Sequence, residues 1–397
     1  MANDAEIRIK NGISTPELER RWTAVRQAMK ESALDFLILQ NSNDVLGGYL
    51  KWFTDLFAYH DFTSTVIFPR DDEMTTVWHG PALPGQPSPP PWAVRGVKKR
   101  ISVPAVPSLN FTNHLMAEKV VEELQGHKNA RIGFVGPGFI SAAFYNYVTS
   151  RLPGAVFTDA TELVDKIKAI KSDEEIALLK RTAALQDQAF EYILTRVRPG
   201  RTEREVFDDC ANKCRQLGTS QACFMGSSAP PGKPARLILP SFANKVIDVG
   251  DQFTILLETN GPGGVWTELQ RTICLGVVTP ELEDHFALAK ALQKVTLDLL
   301  RPGADPREIW AANNAFLRSH GYPEEHRIYA HSMGYDMVER PGISQEETMT
   351  IRAGMNIAVH PAIASDKAFG MYCENYLVQE AGAPLCLHQT PQQIFKI

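Results

Sequence analysis

Five residues able to ligate a metal or move a proton, Glu258, Glu268, His331, His360 and Glu374, follow one another through the second half of this 397-residue chain. Three carboxylates and two imidazoles suit zinc, iron, manganese or nickel, and a divalent ion held by them would lower the pKa of its water toward neutrality. The same side chains can also work without a metal. A carboxylate and a histidine acting as general base and acid are worth roughly 10²–10⁴-fold. The residue types alone leave both chemistries open.

Their placement narrows the geometry. Residues 249–258 alternate with a period of two, with Phe253, Ile255 and Leu257 on one face and Thr254, Leu256 and Glu258 on the other. After Asn260-Gly-Pro-Gly-Gly the return strand carries Glu268, Gln270, Thr272 and Cys274 on one face. A hairpin centred on Gly263 sets Glu258 opposite Glu268, with Cβ atoms about 4.5–5.5 Å apart, where like charges repel. A cation, a shared proton or water must relieve that repulsion. A register shifted by two pairs Glu268 with Leu256 instead. His331, in Tyr-Ala-His-Ser-Met-Gly, reads by itself as a satisfied structural histidine rather than a ligand. His360 ends an apolar strand just before Pro361. Glu374 lies in a half-buried strand-like run, and buried glutamates are rare unless paired.

The elements that must position these residues are legible in outline. Helical spacing over 15–32, short apolar strands at 34–39, 63–68, 75–78 and 131–135, and helices at 113–124 and 140–152 predict an α/β N-terminal domain, residues 1–160, on a mixed or parallel sheet. The proline-dense stretch 80–103 reads as one long loop. From residue 161 to 397 the pattern changes to α+β: helices at 162–196 and 202–217 opened by Ser172 and Thr202 capping boxes, a strand hairpin over 246–278, helices at 283–300 and 306–320, then strands. Arg198-Pro-Gly and Arg301-Pro-Gly each follow one helix and open the next, the trace of two related αα-ββ halves.

Composition excludes several classes. The chain is 44% hydrophobic and 22% charged with a net charge of −5, so neither disorder nor a nucleic-acid partner fits. The six cysteines include no Cys-x-x-Cys pair, which suits a reducing compartment. Residues 1–10 are polar and no apolar run approaches the ~18 residues that span a bilayer, so a cytoplasmic protein without a membrane partner is expected.

Six motifs in order resemble the creatinase/prolidase/methionine-aminopeptidase superfamily, the pita-bread fold: the Ile170-Lys-Ser-Asp-Glu-Glu-Ile helix opening, the Gly250-Asp strand, Glu268-x-x-Arg-Thr, His331-Ser-Met-Gly, Gly354-Met and Glu374. The resemblance covers about residues 160–390, and the first domain is similar to the extra domain of the creatinase and prolidase branches. It implies that Glu258, Glu268, His331, His360 and Glu374 stand at the family's five metal positions, where metal-binding members carry Asp, Asp, His, Glu and Glu.

It also exposes departures. Glu258 fits only with a one-residue shift, Ala235 stands where prolidase-like members have a substrate-binding histidine, and Gln270 replaces a threonine or creatinase's catalytic glutamate. His-Ser-Met-Gly is nearer to creatinase's His-Ser-Phe-Gly than to the peptidases' His-Gly-Ile-Gly. Each Asp-to-Glu change adds about 1.3–1.5 Å of reach, which disfavours a two-metal geometry and leaves one divalent ion (iron, zinc or manganese) or none.

The resemblance further implies a homodimer whose N-terminal domain closes the partner's active site, with Trp52, His60, His79 and Arg271 as substrate-binding candidates. The leading expectation is a creatinase-like hydrolase cleaving a C–N bond of a small guanidino or cyclic amidine substrate. Catalytic work falls to Glu268, His331, His360 and Glu374. A metal-dependent Xaa-Pro aminopeptidase or dipeptidase is the alternative, followed by a metal-assisted lyase and an inert binding module.

Overall fold

In the first unit, short strands rich in β-branched and aromatic residues alternate with amphipathic helices, and the strands collect into one sheet. The computed structural model describes residues 12–41, 45–57, 62–80 and 89–397, and the chain divides into two compact units, Met1–Lys168 and Ala169–Ile397. The first opens with α1 (Thr15–Glu31), whose N-cap Ser14 accepts from the Glu17 amide and whose Leu18, Trp22, Val25 and Met29 are buried. The strands are β1 (Phe36–Asn41), β2 (Ser64–Pro69), β3 (Met74–His79), β4 (Val97–Val103), β5 (Arg131–Val135) and β6 (Val156–Asp159). They lie in the order β4-β3-β2-β1-β5-β6. Pairing is antiparallel through β1, β2 and β3 and parallel elsewhere. Helices α2 (Tyr49–Thr54), α3 (Leu115–Leu124), α4 (Ala142–Arg151) and α5 (Thr161–Lys168) complete the unit.

The long loop expected over 80–103 is corrected at its far end. The proline cluster stops at Pro91, and the proline-free run Val97–Val103 joins the sheet as an edge strand parallel to β3. Its Lys98 and Lys99 are exposed, as charged residues on sheet edges commonly are.

The second unit carries the site. Helices α6 (Asp173–Leu194) and α7 (Glu203–Leu217) both start with complete capping boxes, Ser172 with Glu175 and Thr202 with Glu205. Their apolar faces (Phe190, Ile193, Val206, Phe207) pack on Phe253, Ile255, Leu257, Leu269 and Ile273. Those residues belong to β8 (Gln252–Asn260) and β9 (Trp266–Cys274), which with β7 (Ala222–Ala229) and β17 (Phe395–Lys396) form a sheet in the order β17-β9-β8-β7.

Helices α8 (Pro280–Leu299) and α9 (Pro306–Ser319) back the second sheet, built from β10 (Ala330–Ser332), β11 (Glu339–Gly342), β12 (Asn356–Val359), β15 (Glu374–Leu377) and β16 (Leu385–Cys386). Its order is β11-β10-β12-β15-β16, and β13 (Ala362–Ala364) pairs with β14 (Phe369–Met371) beside it. A bridge between Gln270 and Cys373 links the two sheets.

The repeated Arg-Pro-Gly turns have the same geometry in both halves. Gly200 and Gly303 have φ of 87° and 89°, a region glycine enters without strain. Each glycine amide then donates to a later backbone carbonyl, Ile247 at 2.9 Å and Ile351 at 2.8 Å. The chain has the pita-bread architecture that the sequence motifs resemble. Among the described residues no helix is long and apolar enough to cross a membrane.

Candidate metal centre

The β8–β9 hairpin turns at Gly263, where φ is 79°, and its register sets Glu258 directly opposite Glu268. Both side chains face the cleft and are nearly sealed, at 5% and 3% exposure. Burial drives Glu258 well above the usual carboxylate range, and the facing Glu268 adds to the shift. Burial likewise raises Glu268 to about 7, against the opposing pull of Cys373 and the Arg327 charge.

Two histidines converge on Glu268 from the other sheet. His331 stands in the middle of β10, and His360 directly follows β12, which pairs with β10. The His331 Nδ1 lies 3.1 Å from the Ser332 carbonyl, which can only accept, so Nδ1 carries the proton and Nε2 presents a lone pair. That Nε2 is 4.0 Å from Glu268 Oε2. The two imidazole rings lie 5.1 Å apart at 66°. Burial pushes both histidines below their ordinary pKa, His360 furthest because His331 and Arg327 add to the effect. The cluster is therefore neutral imidazole, the form that ligates.

Glu268, His331 and His360 each offer one ligand atom, all within 4.8 Å of one another. Among the described residues Glu268 Oε2 and His360 Nε2 are buried without a hydrogen-bond partner. Buried polar groups normally find partners, so two such atoms within 4.8 Å of each other fit the ligands of a cation. Two imidazoles and one carboxylate are a ligand set found in catalytic zinc and non-haem iron sites.

Glu258 and Glu374 flank this group without joining it. Glu374 accepts from Arg271 and Gln392 and, at 2.5 Å, from the Tyr376 hydroxyl. Arg271 is fully buried and places all its N–H groups: besides Glu374 it donates to the carbonyls of Gln270, Cys373, Thr390 and Pro391. The pair is a satisfied buried ion pair that ties β9, β15 and the C-terminal segment together. Arg271, expected to bind substrate, has no donor left for one. Trp52 is fully buried in the first unit beneath the Arg21 guanidinium and offers no surface to a ligand. His79 stacks on Phe62 and bonds the Ala105 carbonyl, and His60 lies outside the described residues.

Sequence reasoning missed three supporting residues. Asn375 accepts from the Glu268 amide at 2.7 Å and so fixes β9 against β15. Tyr376, two positions past Glu374 on the same strand face, was detectable from strand periodicity; Gln392, in an irregular tail, was not.

Comparison with known proteins agrees with this architecture. The model of metallopeptidase family M24 matches residues 177–380, more than half of the chain. The uncharacterised peptidase YqhT of Bacillus subtilis is 23% identical over 66% of this chain and 74% of its own length. The Xaa-Pro dipeptidase of Pyrococcus furiosus is 24% identical over 57% of this chain and 65% of its own. Of solved structures, dipeptidase PepE from Mycobacterium ulcerans superposes with a TM-score of 0.77 at 20% identity, covering 97% of this chain and 99% of that one. The Xaa-Pro dipeptidase from Bacillus anthracis gives 0.76 at 19% identity, covering 96% and 100%. Likeness at such identity speaks for the fold, and the family match speaks for descent. The chain belongs to metallopeptidase family M24.

Proposed function

We propose that the chain is a metal-dependent dipeptidase of the Xaa-Pro type, with one divalent ion held by Glu268, His331 and His360. The observation that carries this reading is the convergence of those three side chains with two buried ligand atoms unpartnered. The peptidase names of the relatives favour it over the hydrolysis of a guanidino or amidine compound that led the sequence-based expectations.

When bound, a divalent ion supplies Lewis acidity that polarises a carbonyl and acidifies water. The chain's own residues do the rest. Ser332 fixes the His331 tautomer so that Nε2 turns inward. Asn375 and the Arg271–Glu374 pair fix the strands that carry Glu268 and His360. As water adds to the carbonyl carbon and the C–N bond breaks, the leaving nitrogen needs a proton. Glu258, across the ladder from Glu268 and with its carboxyl in no hydrogen bond among the described residues, is the group assigned to deliver it. His331, one of the residues expected to be catalytic, does not supply that proton in this reading, because its Nδ1–H is committed to Ser332.

The same reading has a homodimer with the N-terminal unit of one chain covering the site of its partner, a point that solution scattering tests by mass. The activity test is hydrolysis of alanylproline by protein loaded with manganese, zinc or iron, against chelator-treated protein. Metal-dependent release of proline is the expected result. Turnover of creatine-like compounds without peptide hydrolysis contradicts it.

A further inference from the structure

The first unit has a cavity of about 460 Å³ at one edge of its sheet, with Phe36, Pro69, Arg70, His127, Lys128 and Asn129 in its wall. That volume lies within the range for small-molecule sites, about 300–1,000 Å³. Three segments meet there: the start of β1, the end of β2 and the turn between α3 and β5. Asp35 ties them together. Its amide donates to the Arg131 carbonyl at 2.8 Å, and its carbonyl accepts from the Arg70 amide at 3.0 Å. Its carboxylate accepts from the Arg131 amide at 2.9 Å and from Arg70 Nη1 at 3.1 Å. The wall is therefore fixed before any ligand arrives, which lowers the cost of binding one.

The acids around this cavity are engaged and several donors are not. Asp35, Asp71 and Asp72 line it, and each already has a cation, Arg70 for the first two and Lys98 for the third. Lys128 has no carboxylate partner among the described residues, and the side chains of His127 and Asn129 make no hydrogen bond among them. Arg70 uses Nε on Asp71 at 2.9 Å, and Nη1 on the Leu34 carbonyl and Asp35, both at 3.1 Å. Nη2 is left over. Both two-donor edges of the guanidinium thus have one donor taken, so it cannot grip a planar carboxylate through two parallel bonds. A tetrahedral phosphate does not need that fork. It accepts single donors from separate directions, and lysine serves it as a point charge. Beside these donors the Phe36 and His127 rings meet edge to face, 4.8 Å apart at 68°, with Pro69 and Ala130 in the same wall. Aromatic and apolar surface next to a phosphate seat suits a nucleobase.

We propose that this cavity binds a nucleoside monophosphate, its phosphate on Lys128, Arg70 Nη2 and Asn129 and its base against Phe36 and His127. None of Glu268, His331 and His360 lines it, so the site is distinct from the metal centre.

The test is calorimetric titration of the full-length, metal-loaded chain with adenosine monophosphate, adenosine and inorganic phosphate. The nucleotide should bind at a single site, at least about tenfold tighter than either fragment. Lys128→Gln should weaken the nucleotide about tenfold and leave adenosine unchanged. His127→Ala should weaken nucleotide and adenosine alike and leave phosphate unchanged. Both side chains are exposed, so neither replacement threatens the fold. His360→Ala should bind the nucleotide as the wild type does. No saturable binding at millimolar nucleotide overturns the proposal, as does binding indifferent to both Lys128→Gln and His127→Ala. Phosphate binding as tightly as the nucleotide removes the seat for the base. Loss of nucleotide binding in His360→Ala puts the phosphate on the metal and overturns the proposal too.

Discussion

Glu268 and Glu374 are buried glutamates on adjoining strands, β9 and β15, joined by the Gln270–Cys373 bridge, yet their surroundings are opposite. Glu374 accepts three hydrogen bonds from Arg271, Tyr376 and Gln392. Glu268 has one oxygen without any partner among the described residues, facing two neutral imidazoles. One is a completed structural ion pair and the other an incomplete polar cluster. A buried carboxylate signals either role in a sequence; what separates them is whether the protein itself supplies the opposite charge. On that basis the proposed reading assigns the ion to Glu268 and leaves Glu374 to hold the strands that support it.

The largest effect is expected at the incomplete cluster. His360→Ala removes one of three ligands, and alanylproline hydrolysis should fall on the order of a thousandfold with the fold retained by circular dichroism. Substantial activity at saturating metal in that variant removes His360 from the centre. Next comes Glu258→Gln, which keeps the shape and loses the transferable proton. kcat should drop roughly 10²–10⁴-fold while metal content is unchanged, a combination that separates proton transfer from ligation. Loss of metal together with activity would make Glu258 a ligand instead.

Stability should invert the order of the two glutamates. In metal-free protein Glu374→Gln leaves Arg271 buried without its anion and should cost about 3–5 kcal/mol in urea unfolding. Glu268→Gln removes a carboxyl that has no ion-pair partner, and its cost should stay below about 1 kcal/mol. Equal costs would erase the distinction.

The smallest effect concerns the tail that completes the Glu374 clamp. Asp187 on α6 accepts from the amides of Gln389 and Thr390 and from the Thr390 hydroxyl. Burial works to raise its pKa, but the His388 ring 3.7 Å away, together with the hydrogen bonds from Thr390 and Gln389, outweighs it and lowers the group from 3.8 to about 2. A depressed carboxylate stabilises the folded state above its unfolded pKa, and that contribution disappears as pH falls through the folded value. The stability gap between wild type and Asp187→Asn should therefore be full above pH 4 and vanish toward pH 2. The side chain is partly exposed, so the gap is small. A gap independent of pH would contradict the anchor.

Much of this was legible in the chain. Period-two alternation around Gly263 offered the Glu258–Glu268 pairing as one of two registers, and the hairpin takes that one; both capping boxes formed as their residues require. The Arg-Pro-Gly repeats marked equivalent turns because glycine alone meets a φ near 90° without strain. What stayed hidden depended on contacts distant in sequence. Arg271 reads as a free cation until Glu374, 103 positions away, and four carbonyls are brought around it. Trp52 reads as an aromatic for enclosing substrate until packing leaves it no surface. The strand Val97–Val103 was masked by the prolines before it, and β7 by its small residues, Gly226, Ser227 and Ser228.

The most direct test is metal content by plasma mass spectrometry on untagged protein purified without chelator, for wild type, Glu374→Gln and His360→Ala. The three-residue centre predicts about one equivalent per chain in wild type and in Glu374→Gln, and less than about a tenth in His360→Ala. Two equivalents in wild type, with loss on replacing Glu374, would contradict it and return Glu374 to the ligand set.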